Sequence, residues 1–332
     1  MRNPNTYVKN YHPLLDVIET QKAIQLVKRK FIKELSNALD LVKVSAPLFV
    51  EPQTGLNDNL NGKTKAVNFV TLSRSNLEIV QSLAKWKRDA LKKFHLSGLY
   101  TNMVAIRPKE ELNNVHSLYV DQWDWEKIIS NKERNLDYLK SVVKKIYHCF
   151  LITAKYINSL YPVLKFNLPN DITFVTADEL LKRYPRLSAK QREYTITKKY
   201  GSVFIMNIGC KLSDGTIHDD RAADYDDWSF NGDILVWNPV LNMPIEISSM
   251  GIRVNKTSLL KQLKERDELY KLKMPYHQDI VKGRLPLTIG GGIGQSRLCM
   301  FMLQKAHIGE IHASYWGEKN VAKFKKYHID LL

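Results

Sequence analysis

Three consecutive glycines in the segment LTIGGGIGQSRLCMFML, Leu287 to Leu303, are followed by Gly294, by Gln295, Ser296 and Arg297, and then by an apolar run. Glycines place no side chains in the way, so a flat or anionic ligand can approach the backbone closely. The apolar run predicts a helix of about four turns at roughly 3.6 residues per turn, entered from a glycine-rich turn. A helix start favours negative charge, and Arg297 adds a permanent cation with a bidentate fork of donors. The ligand these features suggest is a nucleotide. The spacing is not that of the dinucleotide fingerprint, and no Lys-Ser/Thr follows as a phosphate loop requires. The competing reading is a plain glycine-rich turn before a core helix.

With 332 residues, 44% of them hydrophobic, the chain can bury a large core. No internal repeat or low-complexity linker divides it, so one α+β domain over residues 1–332 is expected, with an antiparallel sheet carrying the site on one face and helices behind it. No run of eighteen apolar residues appears, so no membrane helix is expected. The N-terminal stretch lacks the apolar segment of a secretory signal. Cys149, Cys210 and Cys299 are far apart and form no Cys-x-x-Cys, which suits a reduced cytoplasm. A net charge of +16 raises the question of nucleic acid. The lysines are spread over helical patterns as a solvated face, however, and compositional bias accounts for them better than a nucleic-acid partner does.

Along the chain, Thr20 is placed to cap a helix reaching Leu39, with Ile24, Val27, Phe31, Leu35 and Leu39 in one apolar stripe. LVKVSAPLFV follows as a strand whose Pro47 suits an edge or a subunit contact. EPQTGLNDNLNGKTKAV reads as a loop; its Asp58 is either a turn residue or a group that holds an ammonium ion. In LEIVQSLAKWKR, the cluster of Gln81, Ser82, Lys85, Lys87 and Arg88 suits an anionic substrate, against the alternative of a solvated helix start. TNMVAIRPKEELNNVHSLYVDQWDWE reads as strand, loop and strand. Gln122, Asp124 and Glu126 share one strand face there, which is costly in a core and suits a polar cleft. A scaffold helix is expected from about Asn135 to Leu160, and strand then helix in DITFVTADELLKRYP. The cluster His218, Asp219, Asp220, Asp224, Asp226 and Asp227 has no zinc-type His spacing and reads first as a solvated turn, with magnesium, which prefers carboxylates and water, as the alternative. NGDILVWNPVLNMPIEISSMGIRV predicts a hairpin, with Asp233 starting one strand and Glu246, Ser248 and Ser249 on the other. A charged helix is expected from Lys256 to Lys273.

The order of a strand ending in Pro47, a strand–loop–strand with Arg107, and a glycine-rich segment with Arg297 resembles the three motifs of class II aminoacyl-tRNA synthetase catalytic domains. SLAKWKR, HSLYVDQWDWE, DYDDW, NGDILVWNPVL, SSMGIR and IGGGIGQSR bring the resemblance closer, to ammonia-dependent asparagine synthetases, the aspartate–ammonia ligases. It runs from Gln21 to about Ile311. Two departures stand out: Gln81 occupies a position where the family pattern often has His, and the segment between Trp228 and Asn231 is shorter than in many members, which implies a less complete flap.

The resemblance implies that L-aspartate, ATP and ammonia give L-asparagine, AMP and diphosphate through a β-aspartyl-adenylate. It also implies magnesium, a homodimer paired through the Pro47 region, and no tRNA. On that basis Arg107 and Arg297 are expected to hold phosphates, with Gly290, Gly291, Gly292 and Gly294 along the nucleotide. Asp233 and Glu246 are the expected magnesium ligands. Lys87, Ser82, Gln122, Ser248, Ser249 and Arg253 are candidates for aspartate. Among Asp58, Asp124 and Asp226, one should hold the substrate ammonium and another should handle ammonia, with Asp58 preferred as the base. Rival readings are a non-catalytic module that binds tRNA, and a true aspartyl- or asparaginyl-tRNA synthetase. A dead module would be expected to lose Arg107, Glu246 or Arg297. A synthetase would need an added anticodon-binding domain, for which little chain is left.

Overall fold

Trp123 and Trp125 point to one side of a strand, and Gln122, Asp124 and Glu126 to the other. That alternation decides which face of the sheet is core and which is cleft. The computed structural model describes Val8, residues 10–58, Leu60, and residues 65–165 and 167–332. Asn59 and residues 61–64 of the expected Gly/Asn-rich loop lie outside the described residues. The strands are β1 (Val42–Lys43), β2 (Phe49–Val50), β3 (Asn68–Val70), β4 (Asn76–Ile79), β5 (Gly98–Ile106), β6 (Tyr119–Ile128), β7 (Thr173–Thr176), β8 (Ser202–Met206), β9 (Asp226–Asn238), β10 (Met243–Arg253) and β11 (Thr288–Gly294). The helices are α1 (Val17–Leu39), α2 (Ala84–Phe94), α3 (Leu136–Leu160), α4 (Ala177–Arg183), α5 (Ala189–Tyr200), α6 (Lys256–Glu265), α7 (Pro275–Val281), α8 (Gln295–Met302) and α9 (Glu318–Lys325).

An eight-stranded sheet runs in the order β1-β5-β6-β11-β10-β9-β8-β7, and a three-stranded sheet in the order β2-β4-β3. The large sheet is antiparallel except at its two edges, where β1 pairs parallel with β5 and β7 parallel with β8. On one face α1, α3 and α8 bury the main core, in which Phe31 packs 4.8 Å from Trp123 and 5.3 Å from Phe150 between ring centroids. Each such side chain taken out of water contributes about 1.5–3 kcal/mol. On the other face α2 contacts β6 and β11 while α5 contacts β9 and β10, leaving a cleft between them.

Several local expectations need correction. α1 begins at Val17, capped by Asp16, whose carboxylate accepts from Glu19 N at 2.8 Å; the Thr20 hydroxyl bonds back to Leu15 and Asp16 carbonyls instead. LVKVSAPLFV is two short strands in different sheets, because Pro47 sits between them and cannot extend a ladder. Asp233 lies in the middle of β9, which starts at Asp226; the ladder with β10 steps from Asn231↔Gly251 to Asp226↔Arg253, so residues 227–230 bulge out of it. The charged helix stops at Glu265, and Leu269–Lys273 is a 3-10 turn. α8 has eight residues, about two turns rather than four. No helix among the described residues is long and apolar enough to cross a membrane.

The largest correction concerns the glycines, which form a strand rather than a turn. β11 lies between β6 and β10, in register Gly290↔Glu126 and Gly292↔Asp124 on one side and Gly290↔Gly251 on the other. A Cβ at Gly290 would fall 1.9 Å from Glu126 Oε2, and one at Gly292 would fall 2.4 Å from Gln122 Oε1. The glycines therefore leave room first for the polar side chains of β6, which lie across them.

Candidate active site

The cleft encloses about 450 Å³ and is lined from β6, β10, β11, the start of α2 and the loops after β4 and β5. Its floor is charged and buried. From α2, Lys87 donates to Asp124 Oδ1 and, at 2.9 Å, to the Gly291 carbonyl. An ammonium group has three donors, so one remains. Burial pushes this amine below its ordinary value, against the pull of Asp124. Next to it, Arg253 bonds Glu126 at 2.7 Å through Nη2 and also Asp226. Burial, with Glu126 adding to it, raises the Asp226 carboxyl despite Arg253. Two cations, Lys87 and Arg253, thus face three carboxylates, Asp124, Glu126 and Asp226, and the floor carries one net negative charge. Asp124 Oδ2 is buried with no hydrogen-bond partner.

The rim is cationic and half-exposed. Arg107, just after β5, has no ion pair among the described residues, and its Nε is buried and unpaired. Arg297, on the first turn of α8, donates to the carbonyls of Val115 at 3.3 Å and Glu246 at 3.1 Å, with the Glu246 carboxylate 3.9 Å away. The helix start itself is taken: Ser296 N donates to Asp121 Oδ1 at 3.0 Å. Burial would raise the Asp121 carboxyl, but His312, Lys28 and Ser296 together hold it well below the usual carboxylate range. The helix terminus is therefore already occupied by a protein carboxylate.

A β-bulge decides which residues of β10 reach the cleft. Glu246 pairs with Leu235 but Ser248 with Ile234, a register shift at Ile247. Glu246, Ser249 and Arg253 therefore share the cleft side, while Ser248 is buried off the wall, as strict alternation from Glu246 would not have placed it. Gly290 also lies off the wall, as does Asp233, which is bound by Arg221. The cleft brings together Asp58, Ser82, Lys87, Arg107, Gln122, Asp124, Asp226, Glu246, Ser249, Arg253, Gly291, Gly292, Gly294 and Arg297.

The acidic cluster His218 to Asp227 is dispersed. His218 meets Glu193, Asp219 meets Lys190, Asp220 meets Arg266, Asp224 meets Lys85 and His277, and Asp227 meets Arg134. No three His, Cys, Asp or Glu side chains among the described residues form a metal cage. Magnesium carried on phosphates needs only one or two protein carboxylates; Glu246 lines the cleft and fits that requirement, whereas Asp233, off the wall and paired with Arg221, does not. Burial and the Glu246 charge raise the Asp233 carboxyl to about 7. Burial also works against ionisation of Glu246, but Arg297, Arg221 and Lys190 outweigh it and lower its carboxyl. The cationic reading of the α2 start needs refinement: Lys85, Lys87 and Arg88 are all buried and internally paired, not solvated. Sequence reasoning overlooked Arg221, which lines the cleft, and His277; it named Lys85, but not the pairing with Asp224, which is distant in sequence.

A model of the aspartate-ammonia ligase family matches residues 18–328. The chain belongs to the aspartate–ammonia ligase family. An aspartate–ammonia ligase from Clostridium perfringens (strain SM101 / Type A) is 52% identical over 329 residues, 98% of this chain and 98% of that protein. One from Fusobacterium nucleatum subsp. nucleatum is 53% identical over 325 residues, 97% of this chain and 99% of that protein. Among solved structures, asparaginyl-tRNA synthetase from Pyrococcus horikoshii, complexed with asparaginyl-adenylate, superposes with a TM-score of 0.66 at 14% identity, covering 89% of this chain and 68% of that one. At that identity the likeness concerns the fold, and it agrees with the class II synthetase architecture expected for this family.

Gly292→Ala tests the close packing of β11 against β6. Its Cβ would meet the far end of the Gln122 side chain, which can swing aside, so stability should fall by only about 1–3 kcal/mol. The Gln122 amide would leave the cleft, and KM for aspartate should rise while the protein stays folded. A thermal melt read beside substrate kinetics checks both parts; an unchanged KM would separate Gln122 from the substrate.

Proposed function

We propose that this chain is a single catalytic domain that converts L-aspartate, ATP and ammonia to L-asparagine, AMP and diphosphate. The observation that carries the residue assignments is the separation of charge in the cleft: a buried floor with one net negative charge beneath a rim of arginines. Aspartate brings one ammonium and two carboxylates. Its ammonium goes to Asp124, whose Oδ2 is unpaired, with Asp226 beside it. Its α-carboxylate takes the remaining Lys87 donor and Arg253, and Ser82, Gln122 and Ser249 hydrogen-bond the reacting end. The β-carboxylate oxygen attacks the α-phosphorus, the bond to diphosphate breaks, and diphosphate leaves with the electron pair. Arg107 and Arg297 hold the phosphates, and Arg107 meets the charge that develops in attack, where such groups act most strongly. Gly291, Gly292 and Gly294 let the nucleotide lie against β11.

Asp58 then takes a proton from ammonium. The freed nitrogen attacks the β-carbonyl carbon, a second proton departs, and AMP leaves with the electrons of the broken C–O bond. Burial raises the Asp58 carboxyl to about 6, with Asp224 adding to the rise and Lys85 opposing it, which suits a base near neutral pH. Magnesium, when bound, would neutralise phosphate charge; Glu246 would hold it. Glu246→Gln should raise the magnesium concentration needed for adenylate formation, and an unchanged magnesium titration would remove Glu246 from that role. The reaction as a whole is tested by incubating the protein with ATP, magnesium, aspartate and ammonium; asparagine and AMP should appear together, and neither without ammonium.

The reading includes a homodimer. Val17, Ile18, Val42, Leu48 and Phe49 are exposed apolar residues at the start of α1 and around Pro47, at the place where the family resemblance puts the subunit contact. Sedimentation at micromolar concentration should give twice 38.5 kDa; a monomer would contradict it.

A further inference from the structure

Beneath Asp58 lies a buried charge cluster that the reaction as described does not use. Asp224 and His277 are fully buried, and Lys85 and Lys271 nearly so. Asp224 Oδ2 accepts from Lys85 Nζ and meets His277 Nε2, each at 2.9 Å, and Lys271 Nζ stands 3.7 Å away. The chain segment that carries Asp58 rests on the cluster: a Cβ at Gly55 would fall 3.1 Å from His277 Nδ1. Asn57 fixes the same segment, its Oδ1 accepting from both Asp58 N and Gln81 N at 3.0 Å.

The charges acting on Asp58 come from Lys85 and Lys271, which favour its ionised form, and from Asp224, which opposes it; Tyr225 also faces it. Lys85 has three donors, one of which goes to Asp224 Oδ2. Asp58 has no ion-pair partner among the described residues, although it is itself buried. Among the described residues the hydrogen-bond donor to its carboxylate is Leu60 N, at 3.0 Å. A buried carboxylate normally carries a paired cation, and here the cation that most favours its ionised form, Lys85, is bonded to Asp224.

We propose that Asp224 is a positioning residue for the ammonia half-reaction: by holding the Lys85 ammonium it keeps that cation off Asp58, so that Asp58 remains the buried anion that recruits ammonium. Without Asp224, Lys85 would turn to Asp58 and occupy the place of the substrate cation. The inference rests on Asp58 handling ammonia, and its test is built so that the two can fail separately.

Asp224→Asn should raise KM for ammonium at least about tenfold and move the acid limb of asparagine formation at saturating ammonium down by roughly one pH unit, since a cation newly placed within about 4–6 Å lowers a carboxyl by that order or more. Aspartate-dependent ATP–diphosphate exchange should stay within about twofold of the parent, the reading used here for mutations that leave transition-state stabilisation intact. Lys85→Met should move the acid limb the opposite way, upward, because Asp58 loses a favourable charge. Adding Lys85→Met to Asp224→Asn should restore the ammonium KM towards the parent, since no cation is left to block Asp58. If exchange falls in step with asparagine formation, if the two single variants move the acid limb in the same direction, or if the double variant is no better than Asp224→Asn, the proposal is wrong. If Asp224→Asn does not fold, the direction of the Lys85→Met shift alone decides: no upward shift overturns it. The Asp58→Asn half-reaction split, measured beside these, shows separately whether Asp58 handles ammonia.

Discussion

Arg107→Ala should lower adenylate formation by roughly a hundredfold or more, the usual loss when a group that stabilises developing charge is removed. The reason lies in how little else holds this guanidinium. It has no ion pair among the described residues and its Nε is buried without a partner, so its donors are free for phosphate oxygens. Arg297 and Arg253 already bond neighbouring residues. Because little protein structure depends on the Arg107 side chain, the variant should melt close to the parent. The measurement is aspartate-dependent ATP–diphosphate exchange, which isolates adenylate formation. Near-normal exchange would falsify the phosphate role. Arg107→Lys should recover little, because a point charge cannot copy the planar fork.

Asp58→Asn should split the reaction. Exchange should survive, since Asp58 is placed with ammonia rather than with ATP, while most asparagine formation is lost. If both fall together, Asp58 binds aspartate instead, and the ammonia role passes to Asp226 or Asp124. The pH dependence has a definite sign. Burial raises the Asp58 carboxyl to about 6, above the ordinary aspartate range, so the ionised form that acts as base exists above about pH 6, and asparagine formation should fall as pH drops through that value. A carboxyl raised by folding gives its stabilisation at low pH, below its unfolded value, and loses it as pH rises through 6. Asp58→Asn should therefore melt no lower than the parent at pH 8. A large loss of stability there would mean the carboxylate is structural.

How far the sequence reached can be seen on β6 and β10. The period-2 pattern of β6 placed Gln122, Asp124 and Glu126 on a polar face, and that face is the cleft side of the sheet. A strand with one wet and one buried side leaves this mark, and Trp123 and Trp125 confirm it from behind. On β10 the sequence left both Ser248 and Ser249 as candidates; a bulge at Ile247, which nothing local announces, decides that Ser249 faces the cleft. The glycines of β11 carry no pattern at all; they read as a turn because glycine usually marks one, and only the side chains of β6 lying over them explain the strand. Pairings between distant segments were equally hidden. Lys85, Asp224 and His277 look like a helix face, an acidic run and another helix until the fold brings Lys85 and His277 each to 2.9 Å from Asp224. The long helices α1 and α3 were legible throughout, because a 3.6-residue apolar stripe is a local property.

β11 is paired on both edges at the centre of the large sheet, whereas the segment bearing Asp58 sits between short strands of the small sheet. Cooperative units of a protein open at different free energies, peripheral ones first and central strands only with global unfolding. The wall of the cleft that receives the nucleotide thus belongs to the last part of the chain to exchange its amide protons, and the segment proposed to handle ammonia to one of the earlier parts. A molecule caught partly open would still present its arginines and the β11 backbone to ATP after its grip on ammonia had gone. The two halves of the chemistry are anchored to layers of unequal local stability.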